Sequence, residues 1–368
     1  MLYFHILSSF IGIVCGWLMF RNLPRLFLSQ DSHPHYLPMT VIVPARNEEI
    51  NLDLLLSDLM KQKTKVNQII VVDDGSTDKT AEVAKTYGVT LLQVVDKPQQ
   101  WIGKSYACQM GADNASNELL LFLDADVRLT SDSLQKVYAS YLKTGTVLSV
   151  QPFHTVKRWY EQLCLFFNII SVGALGINKN HTATKTSGLF GPLILIPQNV
   201  YKKIGGHASI KENILDDVSL GEELDKANIA YTCFIGGNTI SFRMYRDGII
   251  ALAQGFIKNF AAGAMKTSFL SFVFVFAWVS ALFRAPIGII STIGTENGIA
   301  LFLYGTTYVL LVIQLFWISN QLGSFKKLVI ILYPICLLFF IFILLLSLYK
   351  KICKRPVKWK GRTIMEEE

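Results

Sequence analysis

Four long apolar segments constrain the fold of this chain more than any other feature of its sequence. They occupy residues 2–20, 269–294, 298–319 and 328–349, and Arg284 is their only charged residue. A helix of about 20 apolar residues crosses the ~30 Å hydrocarbon core of a bilayer. Because lipid offers the backbone no hydrogen-bond partners, such segments cross it as helices. The sequence therefore predicts a multi-pass membrane protein, in agreement with a composition that is 51% hydrophobic and only 17% charged.

The apolar segments divide the chain into regions. No basic stretch precedes the first segment and no A-x-A-like cleavage site follows it, so we interpret it as an uncleaved signal anchor. The length of 368 residues suits one soluble domain of roughly 200–250 residues together with the membrane segments. The predicted order is a signal anchor, a cytoplasmic catalytic domain, hydrophobic membrane segments, and a basic then acidic tail, at residues 1–25, 38–264, 267–350 and 351–368.

The positions of the basic residues predict which side of the membrane the domain faces. Arg21 and Arg25 directly follow the anchor, and basic flanks stay in the cytoplasm. The same rule places Lys326, Lys327 and the basic tail in the cytoplasm. Four full crossings would instead place the tail outside. One segment is then re-entrant or interfacial, and we favour the last. The chain has a net charge of +8, and we expect its basic residues to contact anionic lipids of a bacterial cell membrane. Binding to nucleic acid is not expected, since no nucleic-acid-binding module is recognisable.

A shorter apolar segment lies at residues 164–177, where Asn168 and Ser171 interrupt it. It is too short and too interrupted for a crossing, and Lys157, Arg158 and Trp159 precede it. We interpret the region near 158–177 as an amphipathic helix on the membrane surface. An ordinary core helix is the alternative.

Strands alternate with helices in the predicted soluble domain. Apolar runs rich in β-branched residues predict strands, and apolar residues at helical spacing predict helices between them. This alternation indicates an α/β fold with a mostly parallel sheet, and the continuous apolar strands indicate that helices cover both faces. The predicted strands are 40–44, 68–72, 89–95 and 119–123, and the predicted helices are 47–60, 76–87 and 103–115.

Polar clusters follow three of these strands. ARNEE follows the first, DDGSTD the second and DADV the fourth. Ligands of such sheets bind beyond the carboxyl ends of the strands, so the clusters should meet at one edge. Asp124 and Asp126 follow a strand that is entirely apolar, and Mg²⁺ is commonly held by one or two carboxylates together with phosphate oxygens. The pattern predicts a site for a metal–diphosphate complex.

Motifs of competing functions are absent from the sequence. No G-x-G-x-x-G follows a strand, and there is no G-x-x-x-x-G-K-[ST], G-x-S-x-G or H-E-x-x-H. These absences disfavour dinucleotide oxidoreductases, P-loop ATPases, α/β-hydrolases and zinc peptidases. The six cysteines form no C-x-x-C pair, which indicates buried or inert thiols in a reducing compartment.

Four motifs in order resemble the family 2 glycosyltransferases of the GT-A fold: VIVPARNEE, VVDDGSTDKT, LDADV and ILDDVSLGEEL. The resemblance covers about residues 38–264 and implies an inverting nucleotide-diphospho-sugar transferase. QWIGKSYACQMGA, SGLFGPLILIPQNVYKKIGGH, the anchor and the apolar C-terminal part are similar to those of bacterial membrane enzymes that glycosylate carotenoid acids. The implied reaction moves glucose from UDP-glucose to the terminal carboxylate of a C30 carotenoid acid. A glycerolipid, a sterol-like lipid or a polyprenyl phosphate is the alternative acceptor.

The resemblance also implies roles for residues and partners. The metal would be Mg²⁺ or Mn²⁺, and the partners would be UDP-glucose, the carotenoid acceptor, the bilayer and other enzymes of the carotenoid pathway. The implied uridine-pocket residues are Ala45, Arg46 and Glu48, with Asp74 on the uracil. Lys104 would approach the nucleotide or diphosphate, Asp124 the ribose or sugar, and Asp126 the metal. Asp217 would take the catalytic-base position, with Asp216 beside it.

The sequence departs from the family at one motif. Many membrane members carry Q-x-x-R-W, which binds diphosphate and acceptor, whereas this chain has QGFIKN at residues 254–259. Lys258, Arg243 and Arg246 are candidates for the missing cation, and a basic residue that meets lipid phosphate is the alternative reading of each. His207 either contacts the acceptor or is a hydrogen-bonded structural histidine. Gly205 and Gly206 before it are expected to form a turn.

The implied acceptor raises a question about Asp217. A hydroxyl acceptor needs a general base, for which Asp217 is placed. A carboxylic acid, with an ordinary pKa of about 4.3, is already ionised at neutral pH. Asp217 then serves chiefly to position groups, or burial raises the pKa of the acceptor, or the acceptor is a hydroxyl.

Overall fold

The computed structural model describes residues 2–27, 36–176, 188–213, 215–353, 357–359 and 362–364. Contacts within the chain divide it into two compact units. We call residues 24–153 and 181–244 the sheet unit. We call residues 1–23, 154–180 and 245–367 the helical unit. Each unit is built from segments that are distant in the sequence.

Strands and helices alternate through the described residues. The strands are β1 Tyr36–Ala45, β2 Lys65–Asp73, β3 Thr90–Gln93, β4 Leu119–Leu123, β5 Val127–Leu129, β6 Val147–Gln151, β7 Phe153–His154, β8 Leu193–Pro197, β9 Tyr231–Ile235, β10 Ile240–Phe242, β11 Val357–Trp359 and β12 Arg362–Ile364. The α-helices are α1 Leu2–Phe20, α2 Glu49–Met60, α3 Thr80–Thr86, α4 Ser105–Asp113, α5 Ser133–Thr144, α6 Leu165–Leu175, α7 Gln198–Lys203, α8 Asp216–Lys226, α9 Ile249–Lys266, α10 Phe269–Thr292, α11 Gly298–Leu322, α12 Lys327–Ile331 and α13 Tyr333–Ile352. Two 3₁₀ helices are η1 Trp159–Cys164 and η2 Gly206–Ile210.

The main sheet has the strand order β3-β2-β1-β4-β8-β6-β9 within the described residues. The pairs β1–β2, β2–β3, β1–β4 and β6–β9 are parallel. β8 runs antiparallel to both of its neighbours. The predicted mostly parallel α/β sheet is confirmed, and β8 is the exception that the sequence pattern did not reveal. A smaller sheet has the order β5-β10-β7.

Helices cover both faces of the main sheet, as the continuous apolar strands predicted. β4 is buried at every position, because its alternate side chains enter different layers. On one face, helices α2 and α5 pack on the sheet through Leu52, Leu55, Leu134 and Val137. On the other face, Ala107 of α4 packs against Ile70 and Val72. A Cβ added at Gly111 would lie 2.4 Å from Ile42 Cγ2, so α4 lies directly against β1.

The helical unit contains the apolar segments. Among the described residues, α1, α10, α11 and α13 are each long and apolar enough to cross a membrane. Gly12 and Gly16 lie one turn apart on α1, and a Cβ at Gly12 would lie 2.5 Å from the Ala277 carbonyl oxygen. A Cβ at Gly16 would lie 2.5 Å from the Trp278 ring. Small residues at this spacing let two membrane helices approach closely, and α1 packs in this way on α10.

The last apolar segment is broken near its start. α12 ends at Ile331 and α13 begins at Tyr333, with Pro334 in the first turn of α13. Proline is well accommodated there because the first amides of a helix have no intrahelical acceptor. The 20 residues of α13 still suffice for a crossing.

Helix α6 is buried on most of its surface. Its buried residues include Leu165, Phe166, Phe167, Ile169 and Ile170. The Phe167 ring stacks on the Phe256 ring of α9 with 3.7 Å between centroids. Most of α6 is therefore covered by other parts of the chain, and its placement at the membrane surface stays a prediction.

All six cysteines lie in the described residues and carry free thiols. Five are buried and Cys353, directly after α13, is exposed. Burial raises the pKa of the Cys108 and Cys164 thiols, and only the thiolate is strongly nucleophilic. The expectation of buried or inert thiols thus holds for these two residues.

Candidate active site

The ends of β1 and β2 bring the first nucleotide-binding candidates together. Ala45 is in register with Asp73 across this parallel pair. The Asp74 amide donates to the Ala45 carbonyl at 2.8 Å. Arg46 Nη1 donates to the Asp74 carbonyl at 2.9 Å. The Asp74 carboxylate pairs with Lys97 Nζ at 3.3 Å. Arg46 and Asp74, predicted from separate motifs, therefore lie in one network, to which the structure adds Lys97.

A second network joins the ARNEE and DDGSTD loops. Asn47 has a φ of 52°, a left-handed conformation that asparagine tolerates better than most residues. Its side-chain oxygen accepts the Thr77 amide at 2.8 Å, and its own amide donates to Ser76 Oγ at 2.9 Å. The Glu48 amide donates to Thr80 Oγ1 at 2.9 Å. These bonds hold the two loops at the same edge of the sheet.

Asp78 explains why α3 begins later than predicted. The sequence placed the helix start at Ser76 or Thr77, whereas α3 begins at Thr80. The Asp78 carboxylate accepts the Thr80 amide at 3.0 Å and the Glu49 amide at 3.1 Å. Ser76 instead donates its amide to Asp73 at 2.9 Å. Asp73 therefore braces the loop.

Lys104 connects two of the predicted motifs. Its Nζ lies 2.5 Å from Asp124 Oδ1 and 3.7 Å from Asp216 Oδ2. Lys104 directly precedes α4, Asp124 follows β4, and Asp216 begins α8. The side chains of Lys104, Asp124 and Asp216 are 31%, 29% and 19% exposed, so the cluster is reachable from solvent. Burial lowers the pKa of Lys104, but the two carboxylates outweigh it and raise that pKa well above its ordinary value.

Asp217 lies beside this cluster with a different environment. Its Oδ2 accepts the Gly191 amide at 3.0 Å, and its Oδ1 accepts the Val218 amide at 2.8 Å. A Cβ at Gly191 would lie 3.0 Å from Asp217 Oδ2, so the absence of a side chain leaves room for the carboxylate. Burial, followed by the charge of Asp216, raises the pKa of Asp217 to about 6. A carboxylate with this pKa is a suitable general base near neutral pH.

The sequence and fold of this chain match known glycosyltransferases. A family model described as "Glycosyl transferase family 2" matches residues 40–205. A 4,4'-diaponeurosporenoate glycosyltransferase of Staphylococcus aureus (strain USA300) is 31% identical over 361 residues, which are 95% of this chain and 94% of that protein. The chain belongs to glycosyl transferase family 2.

A solved structure supports the fold of this family 2 member. The mannosyltransferase PcManGT from Pyrobaculum calidifontis, in complex with GDP-Man and Mn²⁺, matches with a TM-score of 0.55 and 16% sequence identity. The match covers 96% of this chain and 99% of the mannosyltransferase chain. The predicted GT-A fold is confirmed, and the chain is a nucleotide-sugar glycosyltransferase.

Asp126 is the metal-ligand candidate of this glycosyltransferase. It lies between β4 and β5, two residues after Asp124, and is half-buried. Within the described residues, no group of three or more His, Cys, Asp or Glu side chains could hold a metal ion by itself. Carboxylates are hard oxygen ligands, and Mg²⁺ usually takes only one or two of them beside phosphate oxygens and water. Asp126, with Asp124 nearby in the chain, therefore fits a cation that a diphosphate helps to bind.

The candidate diphosphate cations fall in different units. Arg243 directly follows β10 in the sheet unit, whereas Arg246 and Lys258 belong to the helical unit. The Arg246 carbonyl accepts Tyr160 Oη at 2.8 Å, and Lys258 lies in α9. Their role in diphosphate binding stays a prediction.

His207 has the contacts of a structural histidine. It is buried, and its Nδ1 lies 2.8 Å from Tyr201 Oη, which also contacts Gln109 Oε1 at 3.0 Å. Burial lowers the pKa of His207 to about 4, so the ring is neutral at physiological pH. Gly205 and Gly206 have φ values of 79° and 59°, which confirms the predicted turn.

Several residues of the site were missed from the sequence. Lys97 lies outside the quoted motifs, and Gly191 lies within SGLFGPLILIPQNVYKKIGGH but was not singled out. The signal for both residues is three-dimensional. Asn47 lies within ARNEE but was not singled out. An asparagine between two charged residues at a strand end is a signal for a left-handed turn, and this signal could have identified it.

Proposed function

We propose that this glycosyltransferase moves glucose from UDP-glucose to the terminal carboxylate of a C30 carotenoid acid, 4,4'-diaponeurosporenoate. The observation that carries the proposal is the 31% identity to a 4,4'-diaponeurosporenoate glycosyltransferase over 95% of the chain. That match extends beyond the sugar-nucleotide motifs and includes the apolar helices. The catalytic domain faces the cytoplasm of a bacterial cell, where UDP-sugars are made and where Arg21 and Arg25 are expected to lie.

The nucleotide would bind at the edge formed by β1 and β2. Ala45, Arg46 and Glu48 line the uridine pocket, and Asp74 accepts a hydrogen bond from the uracil. The Asp74 carboxylate is held by Lys97 at 3.3 Å, and its backbone by Arg46 at 2.9 Å. A side chain held in this way loses little freedom when the nucleotide binds, which favours affinity.

The leaving diphosphate would meet positive charge at Lys104. In the reaction, the acceptor oxygen forms a bond to the anomeric carbon while the bond from that carbon to the UDP oxygen breaks. The electron pair of the broken bond remains on the diphosphate, so a cation placed beforehand stabilises the transition state. A divalent cation, Mg²⁺ or Mn²⁺, held by Asp126 would add further neutralisation. Asp124, 2.5 Å from Lys104, fixes the position of the ammonium group and contacts the ribose or sugar.

Asp217 would stand on the acceptor side of the sugar. A carotenoid carboxylate carries no proton to remove, and in that case Asp217 orients the acceptor and the sugar. Its two backbone hydrogen bonds, from Gly191 and Val218, support such a positioning role. The acceptor is an apolar chain that dissolves in the bilayer, which is consistent with the four membrane-length helices among the described residues.

A hydroxyl-bearing membrane lipid, such as a glycerolipid, is the second candidate acceptor. The observation that favours it is the pKa of Asp217, which burial and Asp216 raise to about 6. A base of this strength suits the removal of a proton from a hydroxyl. A polyprenyl phosphate is already ionised, as the carotenoid acid is, and does not need this base.

The test is a product assay in membranes that contain the full chain. UDP-glucose is supplied with 4,4'-diaponeurosporenoic acid or with a diacylglycerol, with and without EDTA. The expected product is a base-labile glucosyl ester of the carotenoid, which EDTA and Asp126→Ala each abolish. The matched control is Asp132→Ala, since Asp132 pairs with Lys136 on α5 and is not part of the site. Product on diacylglycerol alone would overturn the carotenoid assignment and leave the transferase intact.

A second variant separates the two roles of Asp217. If the acceptor is a carboxylate, Asp217→Asn lowers kcat/KM less than on a hydroxyl acceptor, where a general base contributes about 10² to 10⁴. A loss beyond about 10³ on the carotenoid acid, with UDP binding unchanged, would contradict the positioning role. The two acceptors are compared in the same membrane preparation.

A further inference from the structure

Arg284 is a charged residue inside a membrane-length helix. α10 runs from Phe269 to Thr292 and contains no other charged residue. Arg284 precedes the end of α10 by eight residues, which is about 12 Å along the helix axis. Ionisable residues at such depth are costly and usually have a functional partner.

The surroundings of Arg284 are polar and come from three helices. Arg284 Nη1 contacts Ser8 Oγ of α1, and the Ser8 hydroxyl lies 2.8 Å from the Phe4 carbonyl, to which it can donate. One turn away from Ser8, His5 Nδ1 lies 2.9 Å from Tyr304 Oη of α11. The Tyr304 ring packs on α10 at Gly288, where an added Cβ would lie 2.3 Å from the ring. The four polar side chains thus gather where α1, α10 and α11 meet.

The described residues provide no negative charge for Arg284. No carboxylate lies within 4.0 Å of its guanidinium in the described part of the chain. Ser8 is the hydrogen-bond partner that these residues supply, whereas a guanidinium has five N–H donors. The sequences of α1, α10, α11 and α13 contain no Asp or Glu. The compensating anion must therefore come from outside these helices.

We propose that Arg284, Ser8, His5 and Tyr304 form a binding site for an oxyanion carried on a lipid. The anion is the carboxylate of a long-chain acid or the phosphate of an anionic phospholipid. The planar guanidinium matches both groups, because its N–H donors pair with two oxygens at once. A neutral His5 and Tyr304 share one hydrogen bond, so together they offer the anion one further donor, either the Tyr304 hydroxyl or His5 Nε2–H. This site is separate from the Lys104 cluster and does not depend on the identity of the glycosyl acceptor.

The depth of Arg284 explains why the ligand is a lipid. A free anion would lose its water shell to reach a guanidinium about 12 Å inside the helix end. An anion on an apolar chain enters with that chain in the hydrocarbon, and the guanidinium replaces part of the lost hydration. The same chemistry applies to a fatty acid and to a phospholipid headgroup that sinks locally, so the experiment compares both sources.

The test uses the full chain in phosphatidylcholine nanodiscs and a fluorescent long-chain acid, cis-parinaric acid. Its uncharged methyl ester is the control ligand. The wild-type protein is expected to bind the acid at least 10-fold more tightly than the ester, and Arg284→Met is expected to remove this difference. Lys327→Met is the matched control, since Lys327 is an exposed cation at the start of α12, and should leave the difference unchanged.

Further variants and one lipid addition complete the test. Arg284→Lys keeps the charge and should retain part of the preference, and Ser8→Ala should weaken acid binding about 2- to 5-fold, as expected for a lost hydrogen bond. Phosphatidylglycerol that displaces the acid from wild type would assign the site to phosphate as well, and failure to displace it would assign the site to carboxylates. Equal binding of acid and ester by the wild type would overturn the proposal. If Arg284→Met does not fold, unchanged binding in both Arg284→Lys and Ser8→Ala would overturn it as well.

Discussion

The sheet unit and the helical unit treat charge in opposite ways. In the sheet unit, charged side chains pair with and neutralise one another. Lys104 contacts two carboxylates, and Arg128 binds both oxygens of Asp58 at 2.6 and 2.8 Å. In the membrane-length helices, the buried polar contacts are mostly between neutral groups, such as Trp278 Nε1 to Gln314 Oε1 at 2.9 Å. Water at the edge of the sheet solvates a charged cluster, whereas the same cluster in hydrocarbon would carry a large desolvation cost.

This difference determines which features of each unit can be predicted from the sequence. A parallel sheet gathers the ends of distant strands at one edge, so charged motifs in order along the chain indicate a common site. A membrane helix can be recognised in the sequence by the length of its apolar segment. The sequence does not indicate which neighbouring helix each of its apolar residues contacts. The four predictions that follow test this contrast, from the largest expected effect to the smallest.

The strongest test of the sheet unit is Lys104→Met. It removes the cation between Asp124 and Asp216 and leaves two carboxylates where we propose that the diphosphate departs. We expect kcat/KM to fall about 10² to 10³, the usual loss for one electrostatic contact to a transition state. The measurement is the initial rate of UDP release. Lys136→Met, which also removes a lysine paired with an aspartate, should leave the rate unchanged. A rate within about threefold of wild type for Lys104→Met would show that the cluster is not needed for catalysis.

The corresponding test of the helical unit changes the size of a buried side chain and leaves the charge of the protein unchanged. Gly16→Leu places a side chain where a Cβ would already lie 2.5 Å from the Trp278 ring. Overpacking of this kind costs about 1 to 3 kcal/mol, so the melting temperature of the detergent-solubilised protein should fall. Gly305→Leu on α11 is the matched control, since nothing lies within 4 Å of its added Cβ. An equal effect of both variants would argue against close packing of α1 on α10.

The pH dependence of stability is a third test, with a definite sign. Burial, and then Asp216, raise the pKa of Asp217 from 3.8 to about 6 in the folded protein. Between these values the folded state binds more protons than the unfolded state, so this residue lowers stability as pH rises. We expect Asp217→Asn to gain about 2 kcal/mol relative to wild type between pH 4 and pH 8. Thermal unfolding at both pH values measures the change.

For comparison, Asp132→Asn is expected to change the pH dependence of stability in the opposite direction. Burial raises the pKa of Asp132, but hydrogen bonds from Lys136 and Thr130 outweigh it, and the pKa is lowered. Its contribution to stability is present at neutral pH and disappears as pH falls through the folded pKa. The Asn variant should therefore lose stability relative to wild type as pH rises. The same direction for both variants would contradict the environment inferred for Asp217.

The smallest expected effect is in the helical unit. Gln314→Leu removes the acceptor of Trp278 Nε1 and the donor to the Ile13 carbonyl at 2.7 Å. Hydrogen bonds between membrane helices average about 0.6 kcal/mol and reach about 1.7, so the melting temperature should shift only slightly. Asn320→Leu, at an exposed position six residues later in α11, is the control. A loss above about 3 kcal/mol would mean that neutral hydrogen bonds organise this bundle more strongly than expected.

The main features of the sheet unit were predictable, because its strands are short, apolar and bounded by polar turns. β4 was predicted with its bounds unchanged, Leu119–Leu123. β8 was not among the predicted strands, and its run LILIP would not have shown its direction, since it reads the same for a parallel and an antiparallel strand. α3 begins at Thr80, later than the predicted start, because the Asp78 side chain accepts the Thr80 amide.

The candidate site was predictable in its residues and not in its contacts. Separate motifs identified Asp124, Asp216 and Lys104. The sequence pattern does not predict the distances between their side chains. Their ion pairs depend on how α4 and α8 begin at the sheet edge, which is a matter of three-dimensional packing. The close approach of α1 to α10 through Gly12 and Gly16 was likewise missed, because glycine in an apolar helix has several possible explanations.

The single exposed thiol has a practical consequence for mapping the chain in its native membrane. Cys353 follows the last membrane-length helix, and the other five cysteines are buried. A maleimide reagent that cannot cross a bilayer should therefore react at one position of the unaltered protein. Labelling of intact cells, compared with labelling of opened cells, would report on which side of the membrane the polypeptide emerges after α13.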